Sequence, residues 1–323
     1  MNASLLFILG LGLLFIGGEG VVKGAVFIAE KNGFPKILVG ATIVSVGTTL
    51  PEVVVSCGAA AEGSAGISYG NAIGSVICNA SLIAAVLILR RPGKVDKKAF
   101  RLPAAVFFAA ALVYSAVAWT AGRFSRTTGI ALLVICAVYF AVTVRYIKND
   151  PRAARNAGTD EDEGPKPKTQ AEAILWLIAG IAAVAAGARL LVNNGTVIAK
   201  ALGVPDSVIG LTMVALGTSL PELVVAFKSS GKHPTLALGN VIGANILNIV
   251  LVSGMAITIS PFEVPAEKTV GGINSSFVID LPLMLIVMAV LCLPALKKGR
   301  VERWQGIALL CLFAAFNVYQ FIA

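Results

Sequence analysis

Two segments of this 323-residue chain each occur twice, in the same order and with nearly the same spacing. Gly40–Glu52 reads GATIVSVGTTLPE and recurs at Gly210–Glu222 as GLTMVALGTSLPE. Gly70–Asn79 reads GNAIGSVICN and recurs at Gly239–Asn248 as GNVIGANILN. The repetition predicts that the chain is built from two equivalent halves, and it restricts the folds available to those with an internal duplication.

The repeated segments lie in long apolar runs. The chain is 57% hydrophobic and 13% charged, with a mean hydropathy of +0.86, whereas a soluble domain has roughly 25% charged residues. One globule cannot bury so much apolar surface, which makes the bilayer the expected solvent. The runs between charges, Pro and Gly predict ten spanning helices. They cover approximately 3–29, 37–61, 69–89, 102–120, 127–147, 171–199, 206–229, 236–260, 276–296 and 303–322.

A polar stretch between the fifth and sixth runs divides the chain. We expect residues 1–148 to form a first five-helix repeat, 149–169 a flexible linker, and 170–323 a second five-helix repeat. An odd number of spans per half sends the second half into the membrane from the opposite side. The predicted fold is therefore an all-α integral membrane protein with ten transmembrane helices in two inverted five-helix repeats.

The basic residues predict the orientation. If the N-terminus is outside, the outer connections hold only Arg123, Arg126, Lys200 and Lys268, and 20 of the other 22 Lys and Arg lie in inner connections. Lys and Arg concentrate on the cytoplasmic side of membrane proteins. We therefore expect both termini outside, a cytoplasmic linker, and a multi-pass protein of the plasma membrane.

The net charge of +9 does not indicate nucleic-acid binding, because the basic residues lie in short connections where they face anionic lipid. Five cysteines without a CxxC spacing and a single histidine give no redox or soft-metal motif. We expect no cofactor and no obligatory protein partner.

Glu52 and Glu222 lie inside predicted spans at matched positions of the repeat. An ionised carboxylate at the centre of a bilayer costs roughly 2.5 kcal/mol or more. The structural alternative is a protonated or hydrogen-bonded pair. Acids within membrane segments usually mark ion pathways, so we take these two as the core of an ion site.

A proline directly precedes each glutamate. Pro51 has no N–H to donate to the carbonyl of Gly47, and Pro221 leaves Gly217 in the same situation. A carbonyl freed at membrane depth needs another partner, which a bound cation provides. Hydroxyls near the glutamates are further candidate ligands, or they bond to their own helix instead. They belong to Thr48, Thr49, Thr218 and Ser219.

Asparagines follow on the next span of each half. Asn79 lies one helical turn after Ser75, so the two side chains share a helix face, and Asn248 has the same relation to Ala244. We interpret Asn79 and Asn248 as facing the site. Asn71 and Asn240 lie beside glycines and are interpreted as fixing kinks or helix contacts. They belong to the same repeated segments.

All of these candidate ligands are oxygens. Carboxylate, hydroxyl, amide and carbonyl oxygens suit Ca²⁺ and Na⁺ rather than zinc or copper. Mg²⁺ loses its water reluctantly, so a dry protein site favours Ca²⁺.

At these residues the sequence resembles the cation/calcium exchanger superfamily, in particular the prokaryotic sodium/calcium exchangers. The paired motifs GT[ST]LPE and GNxxG[SA]xxxN are its hallmark, and the layout extends the resemblance over essentially the whole chain. The resemblance implies Ca²⁺ export driven by Na⁺ entry through alternating access. It points to ligands at Ser45, Thr48, Thr49, Glu52, Ser75 and Asn79, and at Ala215, Thr218, Ser219, Glu222, Ala244 and Asn248.

Two positions depart from the family pattern. Many relatives have Asp in place of Asn248 and Ser in place of Ala244, so this site has two formal negative charges and one less polar flank. The stoichiometry is left open. The absence of extra acids weakens coupling to K⁺ or H⁺, and both stay alternative coupling ions.

The expected mechanism follows from charge. Two facing carboxylates repel each other in an empty site, and either one Ca²⁺ or two Na⁺ neutralise them. Exchange is obligatory if only neutralised forms change sides, with the first and sixth spans as moving elements. An ion channel is an alternative, although channels usually form rings of subunits. An intramembrane enzyme is another, although no companion His or catalytic Ser accompanies the two Glu.

Overall fold

The computed structural model describes residues 3–32, 36–149, 167–201, 209–231 and 234–322. Of the predicted linker 149–169, residues 150–166 lie outside the described part of the chain. The helices are α1 (Ala3–Asn32), α2 (Lys36–Val39, the π-helical turn Gly40–Val44, and Ser45–Thr48), α3 (Leu50–Ala61), α4 (Ala65–Arg90), α5 (Lys97–Ala121), α6 (Arg126–Asn149), α7 (Gln170–Ala201), α8 (the π-helical turn Ile209–Val214, and Ala215–Thr218), α9 (Leu220–Ser230), α10 (Pro234–Ile259), α11 (Ser276–Lys298) and α12 (Arg303–Ile322).

Within the described ranges, seven helical stretches are long and apolar enough to cross a bilayer. They are Ala65–Arg90, Phe100–Ala121, Arg126–Tyr146, Gln170–Gly187, Pro234–Ile259, Ser276–Lys298 and Arg303–Ile322. Gly40–Thr48 and Leu50–Ala61 meet at an angle of 49° and form an eighth span if they are taken together. The chain is therefore an all-α membrane protein, and the count of ten spans in two inverted repeats stays a prediction.

Helices α4 and α10 form the centre of the molecule. In their most apolar windows 83% and 78% of the residues are buried, against 28% in α6 and 22% in α7. Large apolar side chains project outward from the peripheral helices, for example Leu175, which is 64% exposed, and Ile178, which is 60% exposed. An apolar exterior around a buried centre is what a bilayer solvent requires.

Two glycines bring the central helices into backbone contact with the other half. A Cβ atom on Gly74 of α4 would lie 2.5 Å from the carbonyl oxygen of Leu211 in α8. At the matched position in α10, a Cβ atom on Gly243 would lie 2.5 Å from Cα of Ala41 in α2. Each central helix therefore packs against the broken helix of the opposite half at a distance that only glycine permits.

Short antiparallel strands connect the two halves. The strands are β1 (Gly93–Lys94), β2 (Arg123–Phe124), β3 (Phe262–Glu263), β4 (Thr269–Val270), β5 (Ile273–Asn274) and β6 (Arg300–Val301). β1 pairs with β6, and β2 pairs with β3, so both ribbons link the first half of the chain to the second. The third pair, β4 with β5, is a local hairpin within the second half.

Candidate functional site

The helix of each half breaks just before its proline and glutamate. α2 ends at Thr48, and Thr49 (φ −82°, ψ −2°) separates it from α3. α8 ends at Thr218, and Ser219 adopts nearly the same geometry (φ −82°, ψ 1°) before α9. Each proline lies in the first turn of the helix that follows the break, where its missing N–H removes no helical hydrogen bond.

Each break places a glutamate at a helix N-terminus. Glu52 lies in the first turn of α3 and Glu222 in the first turn of α9, and both side chains are fully buried. The positive end of a helix dipole favours a carboxylate at this position. The carbonyl ends of α2 and α8 lie on the other side of each break, and such ends suit cations.

The two carboxylates meet hydroxyls of the opposite half. Ser219 Oγ donates to Glu52 Oε1 at 3.5 Å, and Thr49 Oγ1 donates to Glu222 Oε1 at 3.5 Å. These distances are at the limit of hydrogen bonding, so the contacts are weak. They nevertheless establish that both carboxylates lie where the two broken helices cross.

Several buried polar atoms of the two acids, and of the central-helix turns at Asn79 and Asn248 that pack against α9 and α3, lack hydrogen-bond partners among the described residues. They are the Oε2 atoms of Glu52 and Glu222 and both amide atoms of Asn79 and Asn248. Buried polar groups in folded proteins are almost always satisfied, and leaving them unpaired is costly. This set of unpaired carboxylate and amide oxygens fits a cation. Among the described residues, no third His, Cys, Asp or Glu joins a metal-binding cluster with these two acids.

Asn79 and Asn248 also begin matched distortions of the central helices. The π-helical turn Asn79–Ile83 interrupts α4, and Asn248–Val252 interrupts α10. Such turns in an α-helix occur frequently at functional sites, because they free backbone groups and redirect side chains. The sequence carries no local signal for them beyond the asparagines themselves.

Asn71 and Asn240 connect the halves through matched hydrogen bonds. Thr218 Oγ1 donates to Asn71 Oδ1 at 2.9 Å, and Thr48 Oγ1 donates to Asn240 Oδ1 at 3.2 Å. Asn71 Nδ2 also donates to Ser56 Oγ at 2.8 Å. Both asparagines therefore fix helix contacts, as expected, but their contact with the threonines of the opposite half was not predicted.

The remaining predicted ligands lie in the same region, and several bond to their own helix. Ser45 Oγ donates to the carbonyl of Thr42 at 3.1 Å. Thr218 Oγ1 lies 3.0 Å from the carbonyl of Val214, one turn earlier in the helix. Ser75 Oγ lies 3.4 Å from Thr218 Oγ1 of the other half. Gly47 is buried and Gly217 is partly buried within the broken helices, and the role of their carbonyls as ligands stays a prediction.

Replacing Asn71 with alanine is expected to destabilise the protein by about 1–3 kcal/mol, because buried partners lose their hydrogen bonds. These partners are Thr218 and Ser56. Thermal unfolding in detergent measures the change. Asn317→Ala is the control, since in the described part of the chain that amide donates to the carbonyl of Phe313 on its own helix at 2.8 Å. Equal unfolding temperatures for Asn71→Ala and the wild type would contradict the prediction.

Comparison with known proteins identifies the family. The family described as "Sodium/calcium exchanger protein" matches residues 2–145 and 172–322. An uncharacterized membrane protein of Methanocaldococcus jannaschii, MJ0091, is 34% identical over 310 residues, which is 95% of this chain and 94% of that protein. Sodium/calcium exchanger MaX1 of Methanosarcina acetivorans is 30% identical and covers 98% of both chains.

A solved structure agrees with the sequence relatives. The sodium-calcium exchanger NCX_Mj, soaked with 2.5 mM Na⁺ and 10 mM Sr²⁺, superposes with a TM-score of 0.77 at 32% identity, covering 97% of each chain. The resemblance inferred from the repeated motifs is thus confirmed. This chain belongs to the sodium/calcium exchanger family, whose members are membrane transporters and not enzymes, and it is a multi-pass protein of the plasma membrane.

Proposed function

We propose that this chain is a secondary antiporter that exports Ca²⁺ in exchange for Na⁺ by alternating access at the crossing of the broken helices. The observation that supports it most is the pair of fully buried acids, Glu52 and Glu222, each contacted by a hydroxyl of the opposite half. A site shared between halves can open to either side of the membrane while its ligands stay near the midplane.

The proposed ligands are the oxygens that surround this crossing. Glu52, Glu222, Asn79 and Asn248 contribute buried side-chain oxygens without other partners in the described structure. The other candidates contribute hydroxyl or main-chain oxygens. These are Ser45, Gly47, Thr48, Thr49, Ser75, Gly217, Thr218 and Ser219. Hard oxygen donors of this kind suit Ca²⁺ and Na⁺.

Matched contacts support the inverted repeat. Gly129 of α6 approaches Gly254 and Thr258 of α10, and Gly306 of α12 approaches Leu89 of α4 in the corresponding way. The ribbons have the same relation, because a strand of each half pairs with a strand of the other in both β1–β6 and β2–β3. A two-fold axis in the membrane plane generates such exchanged pairs.

Charge neutralisation couples the two ions in this proposal. With Glu52 and Glu222 both ionised, the ion-free site has two buried negative charges, and an uncompensated charge within the membrane is costly. One Ca²⁺ removes this cost, and so do two Na⁺. Loaded forms therefore change sides readily while the ion-free form does so rarely, which makes the exchange obligatory.

Na⁺-loaded proteoliposomes test the proposal directly. We expect external Ca²⁺ to enter when an outward Na⁺ gradient is present and uptake to stop when an ionophore dissipates that gradient. If uptake is independent of the Na⁺ gradient and follows a pH or K⁺ gradient, the coupling ion is H⁺ or K⁺ and not Na⁺. Single-channel currents in planar bilayers would exclude a carrier altogether.

A further inference from the structure

The two halves of the site do not supply the same oxygens. On what we call the Ser75 flank, the hydroxyl of Ser75 from α4 lies 3.4 Å from the Thr218 hydroxyl and 3.5 Å from the Ala215 carbonyl oxygen, both of α8. Thr218 Oγ1 is itself 3.3 Å from that carbonyl oxygen. Three oxygens from both halves of the chain therefore converge at one point.

The matched position in the second half lacks one of these oxygens. On this Ala244 flank, the Thr48 hydroxyl lies 3.4 Å from the Ser45 carbonyl oxygen, as in the other half. Ala244 of α10, which is fully buried, occupies the position that corresponds to Ser75. A methyl group therefore replaces the third oxygen.

The nearest additional hydroxyl does not compensate for this loss. The Ala244 flank gains one hydroxyl by comparison with the Ser75 flank. It belongs to Ser45, because the matched residue of the other half is Ala215. In the described part of the chain Ser45 Oγ bonds to the carbonyl of Thr42 on its own helix at 3.1 Å and not to the Thr48 hydroxyl, whereas Ser75 Oγ reaches the Thr218 hydroxyl of the other half at 3.4 Å. The Ala244 flank is consequently a poorer place for a monovalent cation, which depends on several neutral oxygens to replace its hydration shell.

The charge of the site relates the number of bound Na⁺ ions to the charge moved in each transport cycle. Glu52 and Glu222 supply two formal negative charges, and the side chains of Asn79 and Asn248 are neutral. No further His, Cys, Asp or Glu of the described chain joins them in a cluster. Two monovalent cations balance the two acids, so a third Na⁺ would add one net positive charge and would depend on neutral oxygens alone for its binding.

We infer that this chain exchanges one Ca²⁺ for two Na⁺ without net charge movement. One Na⁺ binds on the Ser75 flank and the other between the carboxylates, and the Ala244 flank binds none. This inference rests on the proposed function, since it specifies the stoichiometry of the same site.

The membrane potential provides the test. In proteoliposomes that perform Na⁺-driven Ca²⁺ uptake, a potential of either sign set with K⁺ and valinomycin should leave the initial rate unchanged. Isotope fluxes should give two Na⁺ per Ca²⁺. Uptake that the potential accelerates, or a ratio of three, overturns the inference while leaving the proposed function intact. Absence of any Na⁺-driven uptake would instead refute the proposed function.

Two variants test the roles of Ser75 and Ala244 in Na⁺ binding. Ser75→Ala should raise the Na⁺ concentration for half-maximal exchange by roughly threefold to tenfold, the effect of losing about one oxygen contact. Ser115→Ala, a buried hydroxyl of α5, is the matched control and should change nothing. Ala244→Ser restores the missing hydroxyl and should make uptake sensitive to the potential. An unchanged Na⁺ dependence in Ser75→Ala, or a potential-independent Ala244→Ser, overturns the assignment of the two flanks.

Discussion

Glu52→Gln and Glu222→Gln should each reduce Na⁺-driven Ca²⁺ uptake by about 100-fold or more. Glutamine keeps the shape of the side chain and removes one of the two negative charges that balance the ion. Removing one partner of a buried charged set costs about 3 kcal/mol or more, which corresponds to about 100-fold in affinity. Initial rates of Ca²⁺ uptake into Na⁺-loaded proteoliposomes measure the effect.

Glu62→Gln is the matched control, because this exposed residue directly follows α3, the helix that begins at Glu52. We expect it to transport like the wild type. Thermal unfolding separates loss of binding from loss of folding. Ca²⁺ should raise the unfolding temperature of the wild type and of Glu62→Gln but not of the two site variants. Wild-type uptake in both site variants would remove these residues from the site.

Gly243→Ala should destabilise the protein by about 3 kcal/mol or more, because overpacking against an immovable neighbour is among the largest single-residue effects. The new Cβ atom would lie 2.5 Å from Cα and 2.6 Å from the carbonyl oxygen of Ala41. These are backbone atoms of a buried helix, and they cannot rotate away as a side chain does. The unfolding temperature in detergent and the folded fraction after gel filtration report the loss.

Gly58→Ala is the control for this substitution. A Cβ atom on Gly58 of α3 meets nothing within 4 Å, and alanine favours a helix more than glycine does. This variant should unfold at the wild-type temperature or slightly above it. Gly74→Ala, the equivalent change in the first half, should behave like Gly243→Ala. If Gly243→Ala instead resembles Gly58→Ala, the close contact between α2 and α10 is wrong.

The sequence indicated that the two acids of the repeat lie close together, and their role as ion ligands stays a prediction. Repetition of the segment that ends in Glu52 and Glu222 indicated that two buried acids belong together, and the structure places both where the broken helices cross. The prolines predicted a carbonyl without its helical partner near each acid, and the structure instead breaks each predicted span at Thr49 and Ser219, just before the proline. These features are local, so the residue types and their spacing determine them.

Contacts between the halves could not be predicted in the same way. The bond from Thr218 to Asn71 joins residues far apart in the chain, and it depends on how the two halves cross. Its only sequence signal was that Asn71 and Asn240 belong to the repeat. The ribbons were missed for another reason, because strands such as Gly93–Lys94 are too short to show the alternation by which strands are recognised.

The ribbons restrict how such a carrier can move. β1–β6 and β2–β3 bind the halves together at two separate places, and swinging one entire half away from the other would break their hydrogen bonds. Helices α1 and α7 are not held by either ribbon, and they touch each other through backbone at Gly17 and Gly180. A gating motion in this molecule would therefore be a sliding of α1 and α7, as a packed pair, over the helices that the ribbons hold together. It would need no hinge between the two halves.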